Sequence, residues 1–365
     1  MIDTNDVKQR KARLQKLMKQ NDCELLVVYS NALKPDNVFY VTGYNLLAGE
    51  AWATMDINGH TCLWISEDWE HERAAKESWA NQLDNIENVR KSVGTWSGST
   101  TLLVGKELVP LRYAEFMETF LSNVENGNSL LVEAALIRTP GELEYLREAA
   151  RIADAGFIRA CEVARPGITE IELLAEIEYS MRKIGATDNF QLMASGTHNK
   201  GMVVGRNKLL ENGELLLFEI TPAYKSVTYS AQLCRSIYLG EPQELIVKKY
   251  SILVEAMQDA LDAIRPGMQW NEVYSMQNEI ISAAGYGEYC KPPYMRTRGH
   301  GFGLTQPFNI DDANTSIIEP GMVLVLHPNQ YIPETGYLAL GEMIVVTDDG
   351  CERMSKTKME LVNIS

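Results

Sequence analysis

Arg165-Pro166-Gly167 precedes a helical segment that ends at Gly185, and Arg265-Pro266-Gly267 precedes a second segment that ends at Gly285. The two units have the same length from arginine to glycine, and they lie one hundred residues apart. In each unit Pro-Gly ends one helix and the later glycine ends the next, because glycine adopts the left-handed conformation that closes helices. The matched spacing predicts a duplicated half-domain.

Strand-like segments lie between and after the two units. They are short runs rich in apolar and β-branched residues, at 214–220, 226–239, 322–326 and 343–347. Helices and hairpins mixed in this order predict an α+β domain with a curved antiparallel sheet.

The first third of the chain alternates apolar runs with charged, helix-like stretches, which predicts an α/β domain. We expect strands at 23–30, 38–43, 52–57, 62–65, 102–105 and 130–133. A break follows at Thr139-Pro-Gly-Glu142, where threonine can cap the next helix, proline suits its first position and glutamate completes a capping box. We therefore predict two domains, 1–138 and 139–365.

Composition excludes several classes of protein. The 365 residues include 34 Lys and Arg against 49 Asp and Glu, a net charge of −15, so a nucleic-acid or anionic-membrane partner is not expected. The six cysteines form no CxxC pair, and the N-terminus lacks the apolar stretch of a signal peptide. These features predict a cytoplasmic protein with free thiols and no membrane span.

Several motifs together resemble the creatinase/prolidase/aminopeptidase P family, whose catalytic domain has the pita-bread fold. They are, in chain order, VFYVTGY at 38–44, NGELLLFE at 212–219, the strand 229–239, GHGFG at 299–303, EPGMV at 319–323 and VVTDDG at 345–350. The resemblance covers nearly the whole chain. It implies an α/β N-terminal domain, an α+β pita-bread C-terminal domain with an internal pseudo-twofold repeat, and a homodimer.

The peptidases of this family bind two metal ions through two Asp, one His and two Glu, so each ligand position needs checking. By the resemblance those positions fall on Glu219, Gln232, His300, His327, and either Gly341 or Glu342. A neutral glutamine cannot bridge two cations as a carboxylate does. We therefore expect no metal and no other cofactor. Creatinase is a metal-free member of the family, although its glutamate position holds Cys234 here.

The resemblance brings a set of titratable and polar residues to one cavity. We predict catalytic roles for Glu219, His300, His327, Glu342 and His198, and substrate-binding roles for Gln232, Cys234, Arg235, Tyr229 and Phe302. A glutamate beside two histidines suits general acid–base work. Each residue also has a structural interpretation: hydrogen bonding for the histidines, an ion pair for Arg235, and packing for Cys234 and the aromatic residues.

The leading hypothesis is a metal-independent, creatinase-like hydrolase that cleaves a C–N bond of a small polar molecule, an amide, an amidine or a cyclic compound. Three alternatives stay open. The same acid–base groups suit elimination or ring chemistry, the chain could be a silent member that binds a partner, and one metal held by four of the ligand positions would leave an Xaa-Pro-type peptidase.

Overall fold

The structure is a computed structural model that describes residues 3–93, 100–121, 124–304 and 307–365. The chain divides into two compact units, Met1–Glu142 and Leu143–Ser365. Within the described ranges, no helix combines the length and the apolar character needed to cross a membrane.

The first unit contains a six-stranded mixed sheet. Its strands are β1 (Leu25–Asn31), β2 (Glu50–Asp56), β3 (Thr61–Ile65), β4 (Gln82–Asn85), β5 (Thr101–Val104) and β6 (Glu125–Asn126), in the order β4-β3-β2-β1-β5-β6. Its helices are α1 (Thr4–Gln20), α2 (Asp36–Thr42), α3 (His71–Glu77), α4 (Val89–Val93), α5 (Ala114–Phe120) and α6 (Asn128–Leu136). The predicted α/β character of this region is therefore correct.

Two predicted strands in this unit are wrong, because segments 38–43 and 130–133 lie in helices α2 and α6. A short apolar run looks the same in a buried helix as in a buried strand. Every residue of α2 from Val38 to Thr42 is buried, and Gly43 closes the helix with a φ of 75°. The hydrophobic pattern therefore gave no periodicity by which to separate the two.

The second unit begins within the long helix α7 (Pro140–Val163) and contains α8 (Glu170–Lys183), α9 (Glu244–Ala263) and α10 (Trp270–Ile281). One sheet contains β7 (Ala186–Gly196), β8 (Leu215–Tyr224), β9 (Ser226–Ser230), β10 (Leu233–Leu239) and β17 (Val362–Ile364). Its strand order is β17-β10-β8-β7, and β9 pairs with β8. A second sheet has the order β11-β12-β15-β16, and β13 and β14 form a separate hairpin. Their bounds are β11 (Gly299–Gly301), β12 (Val323–Leu326), β13 (Gln330–Ile332), β14 (Gly336–Leu338), β15 (Glu342–Val346) and β16 (Cys351–Arg353).

The internal repeat is confirmed in backbone detail. Gly167 and Gly267 have φ values of 90° and 93°, and each precedes a helix that starts with a capping box. The amide of Gly167 donates to the Leu210 carbonyl at 2.9 Å, and the amide of Gly267 donates to the Ile318 carbonyl at the same distance. The two half-domains therefore use the same turn, the same cap and the same backbone hydrogen bond to the loop that precedes a later strand.

Candidate active site

A row of paired residues crosses the first sheet of the second unit and defines one of its faces. Leu192 in β7 pairs with Glu219 in β8, and Glu219 pairs with Cys234 in β10. Their sequence neighbours Met193, Phe218 and Leu233 belong to the hydrophobic core beneath α7 and α8. Because side chains alternate along a strand, Glu219 and Cys234 project to the face away from that core.

Gly341 extends this row into the second sheet. Its amide donates to the Cys234 carbonyl at 3.0 Å, and its carbonyl accepts from the Cys234 amide at 3.2 Å. A Cβ at position 341 would stand 2.7 Å from the Cys234 Cβ and 2.6 Å from Cε1 of His327. Because position 341 has no side chain, the His327 ring can lie beside the row.

The two histidines lie together on this side. His300 pairs with Val325 in β12, and its ring stacks on that of His327 with centroids 5.4 Å apart. Burial lowers the pKa of His300. Burial, followed by the charge of His300, lowers the pKa of His327 to about 3. Both imidazoles are therefore neutral at neutral pH.

The tautomer of His300 follows from its hydrogen bond. Nδ1 lies 3.0 Å from the carbonyl oxygen of Gly301. A carbonyl oxygen only accepts hydrogen bonds, so Nδ1 is the nitrogen that carries the proton. Nε2 of His300 then keeps a free lone pair, which can accept a proton from a bound water.

Glu219 is a half-buried carboxyl whose pKa is raised by burial, with a hydrogen bond from the Gln232 side chain acting in the opposite direction. In the part of the chain that the structure describes, no Lys or Arg nitrogen forms an ion pair with Glu219. A raised pKa favours the protonated form of a carboxyl group and suits a group that exchanges a proton with a ligand.

Cys234 lies between Glu219 and Gly341 and is fully buried. Burial raises the pKa of its thiol well above the ordinary value, and the charge of Glu219 raises it further. A thiol held in its neutral form is a poor nucleophile. We assign Cys234 to the wall of the site.

The structure does not bring Glu342 to the histidines. Glu342 pairs with Leu326, whereas His300 lies in register with Val325 and Met343, so Glu342 projects to the opposite face. There its carboxylate accepts hydrogen bonds from the guanidinium groups of Arg235, at 2.5 Å, and Arg353, at 2.9 Å. Of the two positions that the sequence left open, Gly341 is therefore the one that faces the site.

Three further predicted residues lie apart from the row. His198 is exposed, and its Nε2 lies 2.7 Å from the Pro333 carbonyl oxygen. Tyr229 is buried against Tyr145, at a centroid distance of 5.2 Å. Arg235 is held in the ion pair with Glu342. Phe302, in contrast, lies beside His300 with ring centroids 5.9 Å apart.

The sequence analysis missed two side chains of the site, Asn329 and Tyr337. The Asn329 amide nitrogen lies 3.4 Å from Nδ1 of His327, and its Oδ1 accepts from the Leu340 amide at 2.7 Å. Burial raises the pKa of Tyr337, and the charge of Cys234 raises it further. A hydrogen bond with the Asn329 side chain acts in the opposite direction. Asn329 lies two residues after His327 in the sequence, and this proximity to a predicted site residue is the signal that could have identified it.

The described side chains at this site include one carboxyl group and two imidazoles. Within the described ranges, no three His, Cys, Asp or Glu side chains are grouped so that they could hold a metal ion. Glu219 is the one carboxylate that the row supplies, Gln232 is neutral, and Glu342 is engaged by two arginines on the other face. Bridging carboxylates are what a dinuclear centre of hard cations needs.

Comparison with known proteins identifies the family. Residues 144–348 match the model of metallopeptidase family M24, and residues 10–161 match that of the creatinase/prolidase N-terminal domain. The chain belongs to metallopeptidase family M24. Members of this family hydrolyse C–N bonds, and the pita-bread fold predicted from the motifs is confirmed by the solved structures described next.

Individual relatives are similar over almost their whole length. The chain is 28% identical to the Xaa-Pro dipeptidase of Pyrococcus furiosus, covering 98% of this chain and 100% of that protein. The structure of an Xaa-Pro dipeptidase from Bacillus anthracis superposes with a TM-score of 0.83 at 26% identity, covering 98% and 100% of the two chains. The prolidase from Pyrococcus horikoshii gives a TM-score of 0.83 at 24% identity, covering 97% and 99%.

Proposed function

We propose that the protein is a metal-independent hydrolase that cleaves a C–N bond of a small polar substrate, an amide, an amidine or a cyclic relative of these. The observation that carries the proposal is the arrangement of one carboxyl and two neutral imidazoles on opposite sides of Cys234 and Gly341. Two strand spacings separate Glu219 from Gly341, which is about 10 Å between Cα atoms. We place the reacting group of the substrate between the side chains that approach from these two ends.

The chemistry divides between His300 and Glu219. Nε2 of His300 takes a proton from water while the water oxygen bonds to the substrate carbon. The C–N bond breaks, and the leaving nitrogen takes the proton held at Glu219. The proton on His300 then returns to Glu219, so that the site is restored. His327, kept neutral by burial, positions the His300 ring.

A second candidate is an Xaa-Pro peptidase, which the similarity to Xaa-Pro dipeptidases favours. That reaction in a metallopeptidase family draws on bound metal ions, and the donors at this site do not match such a centre. Elimination or ring chemistry would use the same two proton-transfer groups. A partner-binding protein without activity would show no turnover of any compound.

The test is a turnover screen with purified protein and its variants. Amides, amidines and cyclic amidines are assayed for released amine, with Xaa-Pro dipeptides in the same panel. Glu219→Gln and His300→Asn are each expected to lower kcat by about a hundredfold or more, the usual contribution of an acid or base. His60→Asn, at an exposed histidine of the first unit, is the matched control and should keep full activity. Turnover that survives both site substitutions would contradict the assignment.

The cytoplasmic location and the homodimer expected from the sequence remain part of this proposal. Size-exclusion chromatography with light scattering tests the dimer, and a dimer mass that persists on dilution supports it.

A further inference from the structure

A cleft of about 440 Å³ lies between helix α7 and the C-terminal segment 356–362. Phe157, Ile158 and Cys161 of α7 line one side of it, and Val362 of β17 lines the other. Phe157 belongs to the core on the face of the first sheet opposite to the row, so the cleft is separate from the candidate active site. A volume of this size is typical of sites for small molecules.

The floor of the cleft is apolar and partly open to solvent. Ile158 is 56% exposed, and Cys161 and Val362 are half-buried against the core. An apolar group that covers this surface removes it from water, which favours binding. The floor therefore favours a ligand with an aliphatic or aromatic body.

The C-terminal wall of the cleft is held by hydrogen bonds to α7 and to β10. The Asp154 carboxylate of α7 accepts from the backbone amides of Lys356, at 2.8 Å, and Thr357, at 3.0 Å. The guanidinium group of Arg235 in β10 donates to the Lys358 carbonyl at 3.0 Å. Because this wall is already ordered, a ligand loses little affinity to the cost of ordering it.

The rim of the cleft carries more available positive than negative charge. Lys356 and Lys358 are exposed, and among the described residues neither ammonium group forms an ion pair. Two of the acids are engaged, Asp154 by the backbone of the C-terminal segment and Glu162 by an arginine of α7 at 3.0 Å. Glu360 remains, one carboxylate against two ammonium groups. The rim therefore favours a ligand that ends in an anion.

We propose that this cleft is a second binding site of the protein and takes a small carboxylate with an apolar body. The body lies on the apolar floor, and the carboxylate pairs with the ammonium groups of Lys356 and Lys358. The acid–base groups of the candidate active site play no part in this arrangement. The inference is therefore independent of the proposed function.

Calorimetric titration of the full-length protein with three probes of similar shape tests the class of ligand. Phenylbutyrate is the anion, phenylbutanamide is its neutral isostere and phenylbutylamine is the cation. We expect phenylbutyrate to bind about fivefold more tightly than the amide, the contribution of two exposed ion pairs, and the amine to bind most weakly. The advantage of the anion should shrink at high salt, because exposed ion pairs are screened.

Substitutions at exposed positions locate the site without disturbing the core. Ile158→Asp places a negative charge on the apolar floor and should weaken phenylbutyrate binding about tenfold or more. Its matched control is Ile171→Asp, at an isoleucine of α8 that is 50% exposed, and that variant should keep full affinity. Lys356→Gln combined with Lys358→Gln should remove the preference for the anion, whereas Lys248→Gln, at an exposed lysine of α9, should keep it.

The thiol of Cys161 gives a local readout of binding. Cys161 and Cys351 are both half-buried, and burial raises the pKa of each thiol to about 11, so the two are matched in reactivity. At about ten times its Kd, phenylbutyrate should slow the alkylation of Cys161 about tenfold, in proportion to the fall in unliganded protein. The alkylation of Cys351, which does not line the cleft, should keep its rate. Peptide mass spectrometry measures both rates in one sample.

Contrary results would overturn the inference in distinct ways. Absence of phenylbutyrate binding up to its solubility contradicts the site, and equal affinity for phenylbutyrate and its amide contradicts the class of ligand. Binding that is unchanged in Ile158→Asp, or that leaves the alkylation of Cys161 unchanged, contradicts the location. Binding that is lost in His300→Asn would place the carboxylate at the candidate active site instead.

Discussion

The His327 ring occupies the space beside Gly341 that a side chain at that position would need. Cε1 and Nδ1 of His327 lie 2.6 and 2.7 Å from the point where a Gly341 Cβ would stand. Real Cβ atoms do not approach a ring so closely, so the histidine and the glycine are compatible only as a pair. By the resemblance described in the sequence analysis, His327 stands at one metal-binding glutamate position, and Gly341 is one of the two candidates for the other.

Gly341→Ala should therefore destabilise the fold by about 1–3 kcal/mol, the usual cost of overpacking. In a His327→Ala background most of this cost should disappear, with a remainder from the Cys234 Cβ at 2.7 Å. Denaturant unfolding of the four proteins measures the coupling. Gly201→Ala is the control, because among the described residues only its chain neighbours lie within 4 Å of its Cβ position. Additive costs of the two substitutions would contradict the pairing.

The buried neutral His327 makes stability depend on pH. Its folded pKa of about 3 lies below the ordinary 6.5, so its contribution is present above pH 6.5 and is lost as the pH falls toward 3. Between pH 7 and pH 5 this amounts to about 2 kcal/mol. His327→Asn should flatten the fall in the free energy of unfolding over that range, while His60→Asn should not. If the free energy of unfolding varied with pH in the same way in wild type and His327→Asn, the buried neutral ring would be refuted.

The two glutamates nearest the site should respond oppositely to neutralisation. Glu342→Gln breaks a fully buried ion pair with Arg235 and should cost about 3 kcal/mol. Glu219→Gln removes a carboxyl that has no cation in the described structure, so the free energy of unfolding should stay constant or rise while turnover falls. Thermal and denaturant unfolding of both variants test this contrast. A large stability loss in Glu219→Gln would place that residue in the scaffold instead.

The two halves of the repeat should respond alike to substitution. Gly167 and Gly267 have φ values of 90° and 93°, and apart from their chain neighbours no described residue lies within 4 Å of either Cβ position. Alanine at each position meets only conformational strain, about 1–2 kcal/mol. Unfolding measurements on the two single variants should give costs that agree within error. Clearly different costs in the free energy of unfolding would show that the two halves carry different backbone strain despite their matched turns.

The sequence predicted the repeat and the fold because those depend on local signals. The Arg-Pro-Gly turns and the capping box of Thr139 and Glu142 act through their own backbone, and they appear where expected. Segment 38–43 was predicted as a strand and is helix α2, because an entirely buried run has no periodicity. The site depends on register between distant strands. Whether Gly341 or Glu342 faces His327 is decided by the pairing of β12 with β15, which spacing alone did not fix.

The most direct test of the central claim is the turnover of one preparation before and after its metal is removed. The protein is dialysed against a chelator, its metal content is measured by mass spectrometry, and released amine is followed with and without added Mn²⁺, Co²⁺ or Zn²⁺. The account predicts the same kcat at substoichiometric metal and no gain on adding any cation. Activity that disappears with the metal and returns with one or two equivalents would contradict it.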